Sequence, residues 1–433
     1  MPTLETISTE LVHNIYDFTP DLKAAAKLSG TCGRLRDCAL SHRTFYSRLA
    51  FTLDKEESRV TDFTACFNKS MVSLRNKVVE LIIVGHNSYC PGMNIHDQPT
   101  LSAATIHRLL EPFPEVHTLD LVSVTWERQG QDAAPTPTKI TTVNVADLLF
   151  ANNSNESFYA MVHDMPLLST LRMGCYQRVP SARRSSEVMC RGTVTHLELH
   201  NDLAASVYAP WYHSAMSHIP MYSALRDLRV FELRPAEYPL LATLLRSTKR
   251  TLQALELSLE DHVQESYITF PVPTLPLANC TNLTYVDLHL PFFGLAPTEL
   301  ISWRHEYVAR TLRNLPSSMR ALTLTCRWLG HAMDFEEMDE VPDGEEKLLF
   351  TMALREINWY SWFKTSRAML GLRLLTVRIE AGGSTDIMEW ERPHAEEILQ
   401  YRDGLAARCR LVLMWSPRRQ WALGLDLVPR HSS

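Results

Sequence analysis

A hexamer with apolar residues at its first, fourth and sixth places recurs along this chain and restricts its fold more than any other feature. LQALEL, from Leu252, is the plainest copy. A helix wants apolar residues three and four apart, and a half-buried strand wants strict alternation; the hexamer satisfies neither throughout. It fits a short strand entered through a turn. The fourth and sixth residues share one face of the strand, and the first points the same way from the turn. One such strand cannot bury its apolar face alone, whereas stacked copies bury a continuous core.

With Val, Ile or Met allowed for Leu, the pattern returns as VVELII at Val78, VHTLDL at Val116, LSTLRM at Leu168 and VTHLEL at Val194. It continues as LRDLRV at Leu225, LTYVDL at Leu283, MRALTL at Met319 and LRLLTV at Leu372. RCRLVL, from Arg408, is a degenerate further copy. Helix-like segments lie between: LSAATIHRLLEPF, with Leu101, Ile106, Leu109 and Leu110 on one side, YPLLATLLRSTKRTL, and PTELISWRHEYVARTLRNLP, bracketed by Pro297 and Pro316. Strands alternating with helices predict parallel strands joined by crossovers.

These copies, with lead-ins such as FPEVHTLDL, MPLLSTLRM and CTNLTYVDL, resemble leucine-rich repeat proteins, the irregular fungal kind above all. The resemblance covers residues 75–415 and implies an α/β solenoid, with parallel strands on the concave face and helices on the convex face. The asparagine that usually follows the strand in that family is mostly missing here. A doubly wound α/β enzyme would also alternate strands and helices, but it would want longer apolar strands and a Gly-rich turn, and neither occurs.

Residues 1–50 have a different character. Ser8 or Thr9 can cap a helix bearing Leu11, Val12, Ile15 and Phe18; Asp21 can cap a second with Leu22, Ala25, Ala26 and Leu28; a third carries Leu35, Cys38, Ala39 and Leu40. Ile7, Glu10–Leu11–Val12, Ile15–Tyr16, Asp21–Leu22, Leu28, Cys32 and Arg34 follow in an order that resembles the F-box. Ser8 stands where that motif usually has proline, and Leu35 where tryptophan often falls. The alternative is a plain helical cap for the first repeat. The expected organisation is an F-box-like helical domain at 1–50, a linker with a cap helix at 51–74, the solenoid at 75–415 and a tail at 416–433.

Composition narrows the function. The 433 residues carry a net charge of −6, which gives no electrostatic basis for holding nucleic acid or an anionic membrane. No apolar run approaches the roughly 18–20 residues of a membrane helix. The N-terminal residues lack a basic-then-apolar leader pattern, and the nine cysteines are scattered with no CxxC, so a cytoplasmic or nuclear location with free thiols is expected. The hydrolase-elbow, P-loop, zinc-protease and dinucleotide motifs are all missing, so no catalytic residue and no cofactor is assigned. In HLELH, His196 and His200 would lie ~13 Å apart along a strand, too far to share one ion, and no metal is assigned either.

If the fourth and sixth positions face the core, the fifth faces solvent. That row reads Ile82, Asp120, Arg172, Glu198, Arg229, Glu256, Asp287, Thr323 and Thr376, flanked by Thr118, His196, His200, Phe231, Tyr285 and His289. Asp120, Arg172, Glu198, Arg229, Phe231, Glu256, Tyr285 and Asp287 are the candidate target-binding residues, for a partner of basic character; the alternative is a solvated face with no ligand. GQDAAPTPTK from Gly130, the acidic DFEEMDEVPDGEEK from Asp334 and the tail LVPRHSS read as loops or ends.

The two resemblances together imply a non-enzymatic substrate-recognition subunit of an SCF-type cullin–RING ubiquitin ligase. Its N-terminal helices would hold a Skp-family adaptor, and through it a cullin, by Ile7, Leu11, Val12, Ile15, Tyr16, Leu22, Leu28 and Cys32. Its repeats would hold an unnamed target protein. The alternative is a leucine-rich repeat scaffold with no link to ubiquitin.

Overall fold

The computed structural model describes residues 47–53, 58–69, 72–85, 99–127, 139–150 save 147, 165–174, 194–200, 222–233, 237–259, 272–294, 298–331, 371–381 and 410–417, with parts of 8–12, 31–38 and 158–162. The chain divides into two compact units, Met1–Val188 and Met189–Ser433.

In the first unit, strands β1 (Arg48–Leu53), β2 (Glu80–Gly85), β4 (Thr118–Val122), β6 (Thr142–Ala146) and β8 (Thr170–Gly174) pair side by side in that order, all parallel. Three two-residue strands, β3 (Thr100–Leu101), β5 (Thr125–Trp126) and β7 (Leu149–Phe150), form a second small parallel ladder. Helices α1 (Ser58–Lys69) and α2 (Val72–Arg75) lie between β1 and β2, and α3 (Ala103–Leu110) lies between β3 and β4. In the second unit β9 (His196–His200), β10 (Asp227–Leu233), β11 (Ala254–Leu259), β12 (Tyr285–Gly294), β13 (Ala321–His331), β14 (Leu374–Ala381) and β15 (Arg410–Pro417) pair in sequence order, again all parallel. Helices α4 (Tyr238–Ser247) and α5 (Thr298–Arg313) fall between β10 and β11 and between β12 and β13.

The hexamers set the register. In the second unit Leu197, Leu228, Leu255, Val286, Leu322 and Leu375 align rung to rung, and so do Leu199, Val230, Leu257, Leu288, Leu324 and Val377. All twelve are buried, as are the first-position residues Val194, Leu225, Leu252, Leu283, Met319 and Leu372. Each such side chain contributes roughly 1.5–3 kcal/mol of apolar burial. A one-residue slip of any rung would turn its pair to the opposite face, so the pattern fixes the pairing. The chain therefore carries a repeated leucine-rich hexamer whose copies stack as parallel ladders.

A backbone acceptor stands at the entry to each strand. The carbonyl at the second position of each hexamer accepts two successive N–H groups from the next rung. Arg226 O takes Gln253 N and Ala254 N at 2.8 and 2.9 Å, Gln253 O takes Thr284 N and Tyr285 N, Thr284 O takes Arg320 N and Ala321 N, and Arg320 O takes Arg373 N and Leu374 N. The first unit repeats the device at Ser47, Val79, His117 and Thr141. One acceptor with two lone pairs thus satisfies the donors that a turn would otherwise leave open.

Two rungs depart from the sequence reading. ITTVNV, from Ile140, has the same spacing, and Val143 and Val145 join the buried rows in β6. It halves the long interval between Val116 and Leu168. β1 adds another rung through Leu49 and Phe51, so among the described residues the ladder extends back to Arg48, ahead of residue 75. The degenerate copy at Arg408 supplies β15.

The helices dock as their apolar stripes require. Ser102 caps α3 by accepting from Thr105 N at 3.2 Å, and Ile106, Leu109 and Leu110 are buried. In the first unit Phe63 of α1 lies 4.6 Å from Phe51 and 5.9 Å from Phe113, ring centre to ring centre. In the second, Tyr307 of α5 stacks on Trp303 and meets Tyr238 of α4 edge-on at 5.9 Å. Gly85 is demanded by a close approach: a Cβ there would sit 1.9 Å from the carbonyl oxygen of Ser123. Ser123 itself turns the chain from β4 towards β5 at φ 52°.

Near the N-terminus, Ser8 accepts from Leu11 N through its side chain and from Val12 N through its carbonyl, the cap expected there. Val12 is buried and Leu11 is 57% exposed. Leu35 and Cys38 are buried, and Cys32 is half-buried. Ile7, Ile15, Tyr16, Leu22 and Leu28 lie outside the described residues, as do 130–138, 334–347 and the tail after Pro417.

Candidate functional site

The residues read as a solvent-facing row mostly turn out to be covered. Ile82, Glu256, Asp287, Thr323, Thr376 and the flanking Phe231 and His289 are all buried. Asp120, Glu198, Arg229 and Tyr285 are half-buried, and Arg172 is exposed. Periodicity names which side chains share a face. It does not say that rungs ~4.8 Å apart let neighbours on that face fold onto one another.

The buried members converge in the second unit. Glu256 of β11 and Asp287 of β12 are register partners, and His289 lies two residues beyond Asp287 on the same face. His289 Nε2 sits 2.9 Å from Glu256 Oε1 and 3.5 Å from Asp287 Oδ1. Thr325 of β13, the register partner of His289, donates to Asp287 Oδ1 at 2.9 Å. Tyr285 donates its phenol to Asp287 Oδ2 at 3.2 Å. Two guanidinium groups reach the outer oxygens: Arg378 of β14 lies 3.7 Å from Asp287 Oδ2, and Arg229 of β10 lies 3.6 Å from Glu256 Oε2. Arg229 also donates to Asp227 at 3.3 Å.

Charge and burial act against each other here. Burial drives the imidazole of His289 towards neutrality, but the hydrogen bonds and charges of Asp287 and Glu256 outweigh it and push its pKa up to about 9. Burial likewise acts to raise the carboxyl of Asp287. The His289 imidazolium, the Thr325 hydroxyl and Arg378 overcome that and hold it below the usual carboxylate range. Burial and the charge on Asp287 raise the Tyr285 phenol to about 12, so it stays a donor. The group is an imidazolium clamped by two carboxylates, with arginines on the far oxygens.

Beside it, the HLELH strand behaves as its alternation predicts. His200 Nε2 lies 2.6 Å from Glu198 Oε1, and the His200 ring stacks on Phe231 at 4.5 Å. Phe231 meets His289 edge-on at 6.2 Å. His196, on the same face but exposed, bonds Thr195 at 2.8 Å. In β10 the register shifts after Val230, and Glu232 adopts φ 58° within this bulge, next to Phe231. Thus Glu256, Asp287, Tyr285, Phe231, Arg229 and Glu198 are brought to one patch. Asp120 and Arg172 belong to the first unit, where Asp120 accepts from Asn144 Nδ2 at 2.7 Å. Thr325 and Arg378 escaped the sequence reading. They stand two residues beyond Thr323 and Thr376, a signal available in the spacing.

No known family model matches the chain, and no curated protein does. Among solved structures it is similar to the leucine-rich repeat-containing protein LegL7 from Legionella pneumophila, at 12% identity and a TM-score of 0.38, over 86% of this chain and 91% of that one. It is also similar to an internalin, inlF, from Listeria monocytogenes, at 12% identity and a TM-score of 0.33, over 84% and 76% of the two chains.

Proposed function

We propose that this protein is a non-enzymatic recognition subunit, in which leucine-rich ladders present a target protein and the N-terminal helical residues dock a Skp-family adaptor of an SCF-type ubiquitin ligase. The observation that carries the adaptor half is the contrast between Leu11, 57% exposed, and its buried neighbour Val12. A leucine left in water on a capped helical turn, within residues that resemble the F-box, is what an adaptor groove would cover. The ladder half follows from rungs fixed in register by shared backbone acceptors, which hold a bound protein in one direction. Catalysis would belong to another subunit; this chain would supply proximity.

The test is co-elution of the full-length protein with the adaptor, repeated with Leu11→Asp. A complex lost in the variant is expected, since burying a carboxylate in an apolar groove is costly. Point substitution is the right tool, because truncation at residue 50 would cut through β1. Failure of the wild-type protein to bind any Skp-family adaptor would leave the scaffold reading in its place. On the target side, Glu198→Lys probes a half-buried residue outside the buried cluster.

A further inference from the structure

We propose that Glu256, Asp287 and His289 form a binding site for one divalent transition-metal ion, zinc foremost. Their ligand atoms all lie within 4.8 Å of one another, and all three residues are buried. The inner atoms are specific ones. Glu256 Oε1 and Asp287 Oδ1 both face His289 Nε2, at 2.9 and 3.5 Å. Ligands held ~2.0–2.1 Å from a tetrahedral zinc lie about 3.3 Å from each other. Both separations lie close to that value and the two carboxylate oxygens lie within 4.8 Å of each other, so a small closing of the carboxylates would bring all three atoms to the corners a zinc ion needs.

The surroundings fit as well. The arginines touch the outer oxygens, Glu256 Oε2 and Asp287 Oδ2, while the inner Asp287 Oδ1 accepts from Thr325 on one lone pair and has a second for the shared position. Tyr285 and Thr325 fix the orientation of the Asp287 carboxylate, the task performed by supporting residues around metal ligands. Two carboxylates and one imidazole suit zinc and its first-row neighbours; calcium wants six to eight oxygens and magnesium an octahedron of them. Three protein ligands leave a fourth position open. The ion would take the Nε2 lone pair of His289 and one oxygen from each carboxylate.

The test is zinc titration of the chelator-stripped full-length protein by calorimetry. One ion per chain is expected. His289→Gln should weaken binding by more than the 10–100-fold typical of losing a supporting residue. His200→Gln, which alters the neighbouring His–Glu pair, should leave it unchanged. If His289→Gln does not fold, Glu256→Gln takes its place, and the visible absorption of the cobalt-loaded wild type reports tetrahedral nitrogen–oxygen ligation. No stoichiometric zinc in the wild type overturns the proposal; so does binding that survives His289→Gln or disappears in His200→Gln.

Discussion

Replacing His289 with Gln removes a positive charge from between two buried carboxylates while nearly preserving volume, and its cost can be worked from the geometry. The imidazole titrates at about 9 instead of its ordinary 6.5. That displacement corresponds to about 3 kcal/mol of net preference for the charged form in the fold. Removing one partner of a buried ion pair costs about 3–5 kcal/mol in other proteins, because the other partner is left uncompensated. At pH 7, above the 6.5 of the unfolded imidazole, the variant should therefore lose about 2.5 kcal/mol or somewhat more. The assay is urea unfolding followed by tryptophan fluorescence, with chelator present so that only the proton is at stake. The decisive arm is the double variant with Glu256→Gln. If the imidazolium neutralises that carboxylate, the second substitution should cost much less in the His289→Gln background than alone, with a coupling of about 1.5–3 kcal/mol. A loss under about 1 kcal/mol, or strict additivity of the two changes, would refute the charge-clamp reasoning.

Three further outcomes follow from other parts of the structure. Burial, and behind it the charge of Glu80, raises the Asp120 carboxyl to about 6 against the opposing hydrogen bond from Asn144, so the fold binds that proton more tightly than the unfolded chain does. Asp120 is then a cost above pH 6 that vanishes below about 4. Asp120→Asn should stabilise the protein at pH 7 by about 1–2 kcal/mol after allowance for partial exposure, with the gain gone at pH 4 in paired melts. Gly85→Ala must displace the Ser123 backbone and should cost about 1–3 kcal/mol or more. Gly371→Ala, whose nearest neighbour is the mobile end of Arg320 at 3.1 Å, should cost less in the same denaturation series. Val143→Ala in the rung missing from the sequence reading should cost about 1–3 kcal/mol, whereas Thr142→Ala on the opposite face should stay within about 0.5 kcal/mol.

The rungs were legible wherever the hexamer stood clear of its surroundings. Leu252, Leu255 and Leu257 announce β11 without help, and Leu283, Val286 and Leu288 announce β12. Ile140, Val143 and Val145 carry the same spacing but follow a Pro/Thr-rich stretch that masks them as loop. Leu49 and Phe51 sit against a helical text and are led in by Tyr46, outside the Leu, Val, Ile and Met set, so the pattern does not single out β1. For the site, alternation correctly put Glu256 and Asp287 on one face. It could not reveal that His289 reaches diagonally across the register to Glu256, nor that this closure takes the cluster out of water. Those facts depend on the contact between rungs, and the threonine and arginine that complete the cluster come from rungs 38 and 91 residues along the chain from Asp287.

The doubled acceptors at Arg226, Gln253, Thr284 and Arg320 have a mechanical consequence. Because each storey is held to the next by its strand pairing and one doubled acceptor, the storey at a free end, with a neighbour on one side only, is the first to give under tension along the stack. A molecule fastened so should come apart like a zip, storey by storey from a free end, and a partner gripping several storeys would act as the slider that keeps it shut.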